Sequence, residues 1–167
     1  MPTPTPEDLA AAVRFSPIEK IKALLAQGAD VNGKDSVGNT ALIYAAGREG
    51  HLEIARLLLD NGARIDETNK WGDTALIRSI DWDNTTDMVR FLLGRGASID
   101  IKNRSGYTAE SMAASKGRSV IVKLIQEVRA ERQKLAAEEA RLEAARKLTM
   151  ERQQQLKKIK PSPFRPK

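Results

Sequence analysis

Apolar residues in this chain are grouped in short blocks that have helical spacing. The segment TALIYAA (residues 40–46) places its apolar side chains on one face of a helix, and LEIARLLL (residues 52–59) does the same. Thr40 can cap the first helix and Gly62 can end the second one in a left-handed turn. Each helix is shorter than the roughly 12 to 15 residues that an isolated helix needs in water, so the pair must pack on neighbouring units.

The helix pair recurs with a fixed spacing of 34 residues. Such a period is the signature of a stacked repeat protein, in which each unit buries its apolar face against the next one. We therefore predict an all-α solenoid of helix-turn-helix units. The period is marked by Thr40, Thr74 and Thr108 at the starts of first helices, and by Gly28, Gly62 and Gly96 at the ends of second helices.

The repeated sequence GxTALxxAAxxxGHLEIARLLLxxGAxID, read from Gly38 to Asp66, resembles the ankyrin repeat. The resemblance implies hairpin loops followed by two antiparallel helices, and a protein-binding rather than catalytic role. Two features depart from the family pattern: its Thr-Pro-Leu-His opening reads TALI, TALI and TAES here, and copies two and three are one residue longer. The resemblance covers an ankyrin-repeat domain of residues 1–126, with copies at about 5–34, 35–68, 69–102 and 103–126.

The first copy shows two helix starts of the same kind. Thr5 and Ser16 are each followed by proline and, within three residues, by an acidic side chain, which predicts that both cap a helix. The outer face of this copy is polar, as the N-terminal cap of a solenoid requires.

The last copy lacks the glycine that should end its second helix, because Arg129 occupies that position. Residues 118–160 contain no glycine or proline, so we predict one helix from Ser119 to Lys158, about 60 Å long. Residues 127–158 form its extended charged part, and 159–167 a basic, Pro-containing disordered tip. Apolar residues recur every seven positions along this helix, as in a coiled coil, but the second position of the heptad seam is mostly charged. This pattern favours a lone or partner-bound helix over a coiled coil formed with another copy of the chain.

Composition and charge narrow the functional classes. The 167 residues contain no cysteine, which excludes disulfides and thiolate chemistry. No apolar run is long enough for a membrane span and no secretion signal is visible, so we expect a cytoplasmic monomer. The net charge of +6 arises in the last 21 residues, where seven basic residues accompany Glu151 alone.

Catalytic and metal sites lack a sequence signal. His51 is the only histidine and matches a structural position of the ankyrin repeat. Asp81, Asp83 and Asp87 lack the glycine and the terminal glutamate of a helix-loop-helix calcium site, so we interpret them as turn and cap residues. We therefore expect no enzyme activity, no metal and no cofactor.

The resemblance to ankyrin repeats implies that a protein partner lies against the hairpin tips and the concave face. Trp71 is the strongest candidate, because tryptophan, tyrosine and arginine most often dominate interface energies. The candidate partner-binding residues are Ser36, Val37, Asn39, Arg48, Glu49, Lys70, Trp71, Asp73, Trp82, Asp83, Arg104, Ser105, Tyr107 and Lys116.

The basic C-terminal segment supports an alternative function. Clustered lysine and arginine residues can neutralise the phosphates of nucleic acids or an anionic surface, although Phe164 is the one aromatic residue there that could stack on bases. Binding of this kind would be unspecific and salt-sensitive. The residues concerned are Lys147, Arg152, Lys157, Lys158, Lys160, Arg165 and Lys167.

Overall fold

The described part of the chain is entirely helical. The computed structural model describes residues 4–81 and 86–158, and no strand occurs within these ranges. Eight helices follow one another in these ranges: α1 (Pro6–Phe15), α2 (Ile18–Ala26), α3 (Ala41–Ala46), α4 (Leu52–Asp60), α5 (Ala75–Asp81), α6 (Thr86–Gly94), α7 (Ala109–Ser115) and α8 (Ser119–Lys158). The all-α prediction is confirmed.

The first helix of each repeat begins at a threonine, as the period predicts. Thr40 Oγ1 accepts a hydrogen bond from the Ile43 N–H at 3.3 Å, and Thr74 and Thr108 cap α5 and α7 in the same way. At the N-terminus, Thr5 and Asp8 form a reciprocal capping box on α1. These caps satisfy N–H groups that have no partner inside the helix, and each contributes about 1 kcal/mol.

The predicted cap at Ser16 is wrong. Pro17 precedes the first residue of α2 and makes no side-chain cap, while Ser16 ends α1 by donating its backbone N–H to Ala12 O at 2.9 Å. Ser16 and Pro17 are the two residues between α1 and α2; Ser16 is the C-cap of α1, and Pro17 holds the N-cap position of α2.

The second helices end where the sequence predicts a left-handed residue. Gly62 has φ +86°, and the following Ala63 N–H donates to Leu58 O at 3.0 Å. An L-residue with a Cβ would be strained in this conformation, which is why glycine recurs at this position. The chain then turns back into the hairpin of the next repeat.

The core runs without a break through the repeats. The inner helices pack in sequence, α1 on α3, α3 on α5 and α5 on α7, and the first three also pack on the second helices of their own repeats, α2, α4 and α6. The first turns of α8 close this core with Ile121, Leu124 and Ile125. Contacts divide the chain into two units at Val128 and Arg129. In the second unit, Leu135 and Leu142 are exposed on α8.

Helix α8 runs from Ser119 to Lys158, as predicted from the missing stop glycine. Within residues 4–81 and 86–158, no helix combines the length and the apolar character needed to cross a membrane.

Candidate partner-binding groove

Each hairpin between repeats is organised by one acidic or amide side chain. Asn69 Oδ1 accepts hydrogen bonds from the backbone N–H groups of Trp71 at 2.9 Å and Asp73 at 3.0 Å. Asp35 and Asn103, 34 residues away on either side, hold their own hairpins with the same pair of bonds. The three hairpin tips therefore adopt one conformation.

Neighbouring hairpins are also bonded to each other. Arg104 N–H donates to Trp71 O at 2.8 Å, and Lys70 N–H donates to Val37 O at 3.2 Å. Side chains continue this ladder, since Asn69 Nδ2 donates to Asn39 Oδ1 at 2.9 Å and Asn103 Nδ2 to Asp73 Oδ1 at 2.8 Å. The tips form one continuous wall rather than separate loops.

This ladder changes the role of two predicted contact residues. Asn39 and Asp73 are buried, and their side chains accept the hydrogen bonds between hairpins. They lie in the floor of the surface, where a partner has little access to them. We therefore assign them a structural role, because a hydrogen-bonded buried amide or carboxylate is costly to release.

The wall of hairpin tips and the inner helices together line an open groove of about 1,020 Å³. Val37, Trp71 and Ser105 project into it from three successive hairpins. Trp71 is 53% exposed and Tyr107, two residues beyond Ser105, is 39% exposed. The structure thus brings these predicted residues of three different repeats to one surface.

The inner helices supply groove residues that the sequence analysis missed. Tyr44, Arg78 and Met112 occupy the same position of α3, α5 and α7, spaced by 34 residues, and all three line the groove. Arg14 of α1 joins them, with its guanidinium 5.0 Å from the centre of the Tyr44 ring. The 34-residue period contains this signal, because it places all three residues at one position of the inner helices, where each is only partly buried.

Carboxylates in the groove are engaged by groups of the protein itself. Lys116 Nζ lies 2.8 Å from Asp81 Oδ1, and Arg78 Nη1 lies 3.5 Å from Asp81 Oδ2 and 3.9 Å from Asp73 Oδ2. The Tyr44 hydroxyl donates to Asp35 Oδ2 at 2.7 Å. Burial and this neighbouring carboxylate raise the pKa of Tyr44, so its hydroxyl remains a donor at neutral pH.

Comparison with protein families agrees with this geometry. The family described as ankyrin repeats in three copies matches residues 9–103 and 62–135. The chain is an ankyrin-repeat protein. A search of curated proteins gives no match.

Most of the remaining predicted residues of this ankyrin-repeat protein lie on its surface. Ser36, Lys70, Arg104 and Ser105 are exposed on hairpin tips, and Glu49 is exposed in the turn after α3. Arg48, in the same turn, donates from Nη1 to Arg14 O at 2.5 Å.

Some predicted positions cannot be placed. Trp82, Asp83, Lys160, Arg165 and Lys167 lie outside the described residues. Lys147 and Arg152 are exposed on α8. The backbones of Lys157 and Lys158 end the same helix.

His51 lies at the start of α4, at the position for which the ankyrin resemblance implies a structural rather than a catalytic role. Its Nδ1 is buried and has no hydrogen-bond partner among the described residues. Burial, and secondly the charge of Arg48, lower the pKa of His51 below its ordinary value. Among the described residues, no three His, Cys, Asp or Glu side chains are grouped as a metal site requires.

The lowered pKa of His51 predicts a pH dependence of stability. As pH falls through the ordinary histidine pKa of about 6.5, the unfolded chain binds a proton before the folded chain does, so the free energy of unfolding decreases. His51→Gln should flatten this decrease between neutral and mildly acidic pH. Urea denaturation at several pH values measures it, and equal pH slopes for both proteins would contradict the prediction.

Proposed function

We propose that this ankyrin-repeat protein is a non-enzymatic interaction module that binds a protein partner in the groove between its hairpin tips and inner helices. Ankyrin repeats are generally protein–protein interaction modules, and the family is typically non-enzymatic. The groove described above adds a specific surface to this general role. Its walls come from the repeats that also form the core, so the surface is as rigid as the fold.

The exposed side chain of Trp71, on a backbone held by hydrogen bonds, is the observation that carries the proposal. Its backbone N–H donates to Asn69 Oδ1 and its carbonyl accepts from the Arg104 N–H, so the backbone is fixed on both sides. More than half of the residue is nevertheless exposed to solvent. A large aromatic side chain has few torsions to fix, so on such a backbone it loses little entropy on binding, which is the property of residues that dominate interfaces.

Replacing the two exposed aromatic residues should remove partner binding while the fold is kept. We expect the double variant Trp71→Ala, Tyr107→Ala to bind its partner at least about tenfold more weakly, because Trp71 lines the groove and Tyr107 is exposed on the next hairpin. Affinity capture from a nuclease-treated lysate at high salt, with quantitative mass spectrometry, measures the loss.

The matched control removes exposed apolar side chains elsewhere. Val120→Ala with Leu142→Ala changes residues that are exposed on α8 and do not line the groove. This control should capture the same proteins as the wild type. Equal capture by the Trp71→Ala, Tyr107→Ala protein and the wild type would show that the groove is not the binding surface.

The basic C-terminal segment supports a second candidate function, the binding of nucleic acid or an anionic surface. Lys147 and Arg152 are exposed on α8, as this function needs. Electrostatic binding of this kind weakens strongly with salt, since it depends on the release of counterions. In a parallel capture at low salt and without nuclease, material that nuclease or high salt then removes from all variants alike would favour this candidate over the groove.

A further inference from the structure

The charges of the groove are of two kinds, those that are neutralised within the protein and those that are not. Asp73 and Asp81 lie beside Arg78 and Lys116, and Asp35 accepts hydrogen bonds from Tyr44 and from two backbone N–H groups. These acidic groups are therefore already compensated. They contribute little net attraction for a basic partner.

Two cations of the groove lining lack such compensation. Arg14 and Arg48 lie at the C-terminal ends of α1 and α3, and both are exposed. Among the described residues, no carboxylate lies within ion-pair distance of either of them. Glu49 is the one exposed acidic residue of the described groove lining, so the two exposed arginines outnumber the exposed carboxylates.

The guanidinium of Arg14 is also held in place for a ligand. It stacks on Phe15 at 4.8 Å and on Tyr44 at 5.0 Å from the ring centres, and its backbone carbonyl binds Arg48. Stacking on aromatic rings leaves the edge of a guanidinium, with its N–H donors, available to a carboxylate. Arg14 and Arg48 therefore form a paired cationic subsite at the N-terminal end of the groove.

The centre of the groove is different in character. Val37, Trp71 and Met112 present apolar side chains there, and the compensated carboxylates of Asp73 and Asp81 also line it. A continuous row of phosphates, as in a nucleic acid, would have to place charged groups against this apolar surface. A peptide avoids this conflict, because it can place an apolar residue at the centre and acidic residues beside the two arginines.

The length of the groove sets the size of the occupant. Packed helices lie about 8 to 10 Å apart, so the four repeats from Arg14 to Ser105 span roughly 25 to 30 Å. An extended chain advances about 3.3 Å per residue, which corresponds to about eight or nine residues.

We propose that the groove binds an extended acidic peptide segment of about nine residues, in which a bulky apolar side chain packs on Trp71 and flanking Asp or Glu residues pair with Arg14 and Arg48. This inference rests on the proposed function, since it names the class of partner for the same groove. Complementary charge supplies selectivity among partners, while the apolar contact supplies most of the affinity.

Fluorescence anisotropy with labelled peptide pools tests the inference on the full-length chain. The acidic pool carries Asp or Glu around a central Leu, Phe or Trp; a second pool replaces the acids by Asn or Gln; a third keeps the acids but has a central Gly. A single-stranded oligonucleotide of similar length is the polyanion probe. We expect the acidic pool with the apolar centre to bind about tenfold more tightly than each of the other probes.

Charge variants locate the contact. Arg14→Gln with Arg48→Gln should weaken binding of the acidic pool by about tenfold, whereas Lys147→Gln with Arg152→Gln, which removes the same charge from α8, should change it by less than about twofold. Arg14→Gln alone is a second groove variant. It keeps the backbone carbonyl that accepts the hydrogen bond from Arg48, so it remains informative if the double variant unfolds.

The results separate the two proposals. Equal binding of the acidic and neutral pools, equal loss in the groove and α8 variants, tighter binding of the oligonucleotide, or no saturable binding below about 1 mM would each overturn the acidic-peptide inference. If Trp71→Ala, Tyr107→Ala still abolished lysate capture, the proposed function would stand with a partner of different chemistry. Failure of both experiments would reject the groove itself.

Discussion

Leu58→Ala is expected to lower the free energy of unfolding by about 3 kcal/mol. Leu58 is 0% exposed, and its helix α4 packs against both α3 and α6. Truncation to alanine therefore removes buried methyl groups from the interface between two repeats and leaves a cavity that rigid neighbouring helices fill poorly. Since a domain is stable by only about 5 to 15 kcal/mol, this loss should be plain in urea denaturation followed by circular dichroism.

The same substitution at an exposed leucine provides the control. Leu142 is 54% exposed on α8, and Leu142→Ala should change the unfolding free energy by less than about 0.5 kcal/mol. If Leu58→Ala cost less than about 1 kcal/mol, the packing of α4 in the repeat core described above would be incorrect.

Gly72→Ala is expected to cost about 2 to 3 kcal/mol, more than an ordinary glycine substitution in a turn. Gly72 has φ +77°, which strains any residue that carries a Cβ. In addition, a Cβ at this position would lie 3.0 Å from Arg104 N and 3.0 Å from Asn103 Cα. These are backbone atoms of the next hairpin, and Arg104 N is bonded to Trp71 O, so they cannot move without opening the ladder.

Gly106→Ala separates the two contributions. Gly106 has φ +82°, nearly the same backbone strain, but a Cβ there would meet no atom within 4 Å. We expect this variant to lose only about 1 kcal/mol, the cost of the conformation alone. Thermal and urea denaturation of both variants measure the difference. Equal losses would mean that contact between hairpins does not stabilise the wall of the groove.

Much of the fold could be predicted because it follows from local chemistry that repeats. A threonine hydroxyl caps the inner helices wherever the period places it, and Gly62 adopts the left-handed conformation that ends α4. The length of α8 was also predictable, since nothing between Ser119 and Lys158 interrupts a helix. Ser16 shows the limit of local patterns. The same Ser-Pro pair is compatible with an N-cap or with the end of α1, and contacts of the whole repeat decide between them.

The groove could be predicted only in part. Trp71 and Tyr107 are predictable as contact candidates because the ankyrin resemblance places them at hairpin tips, and the structure shows both exposed. Asn39 was assigned to the same surface, but its hydrogen bond with Asn69 depends on how adjacent hairpins align, which a single repeat does not reveal. The stacking of Arg14 on Tyr44 was missed for a similar reason, since it joins two inner helices of different repeats.

The central claim is that the groove, and not another face of the repeats, contacts the partner. Site-specific photo-crosslinking in cells tests it most directly. One protein carries p-benzoylphenylalanine in place of Trp71, and another carries it in place of Arg90, which is exposed on α6, the second helix of its repeat. The account predicts a discrete covalent adduct with a partner protein from position 71 and none from position 90. An adduct from position 90 alone, or the same adduct from both positions, would contradict it.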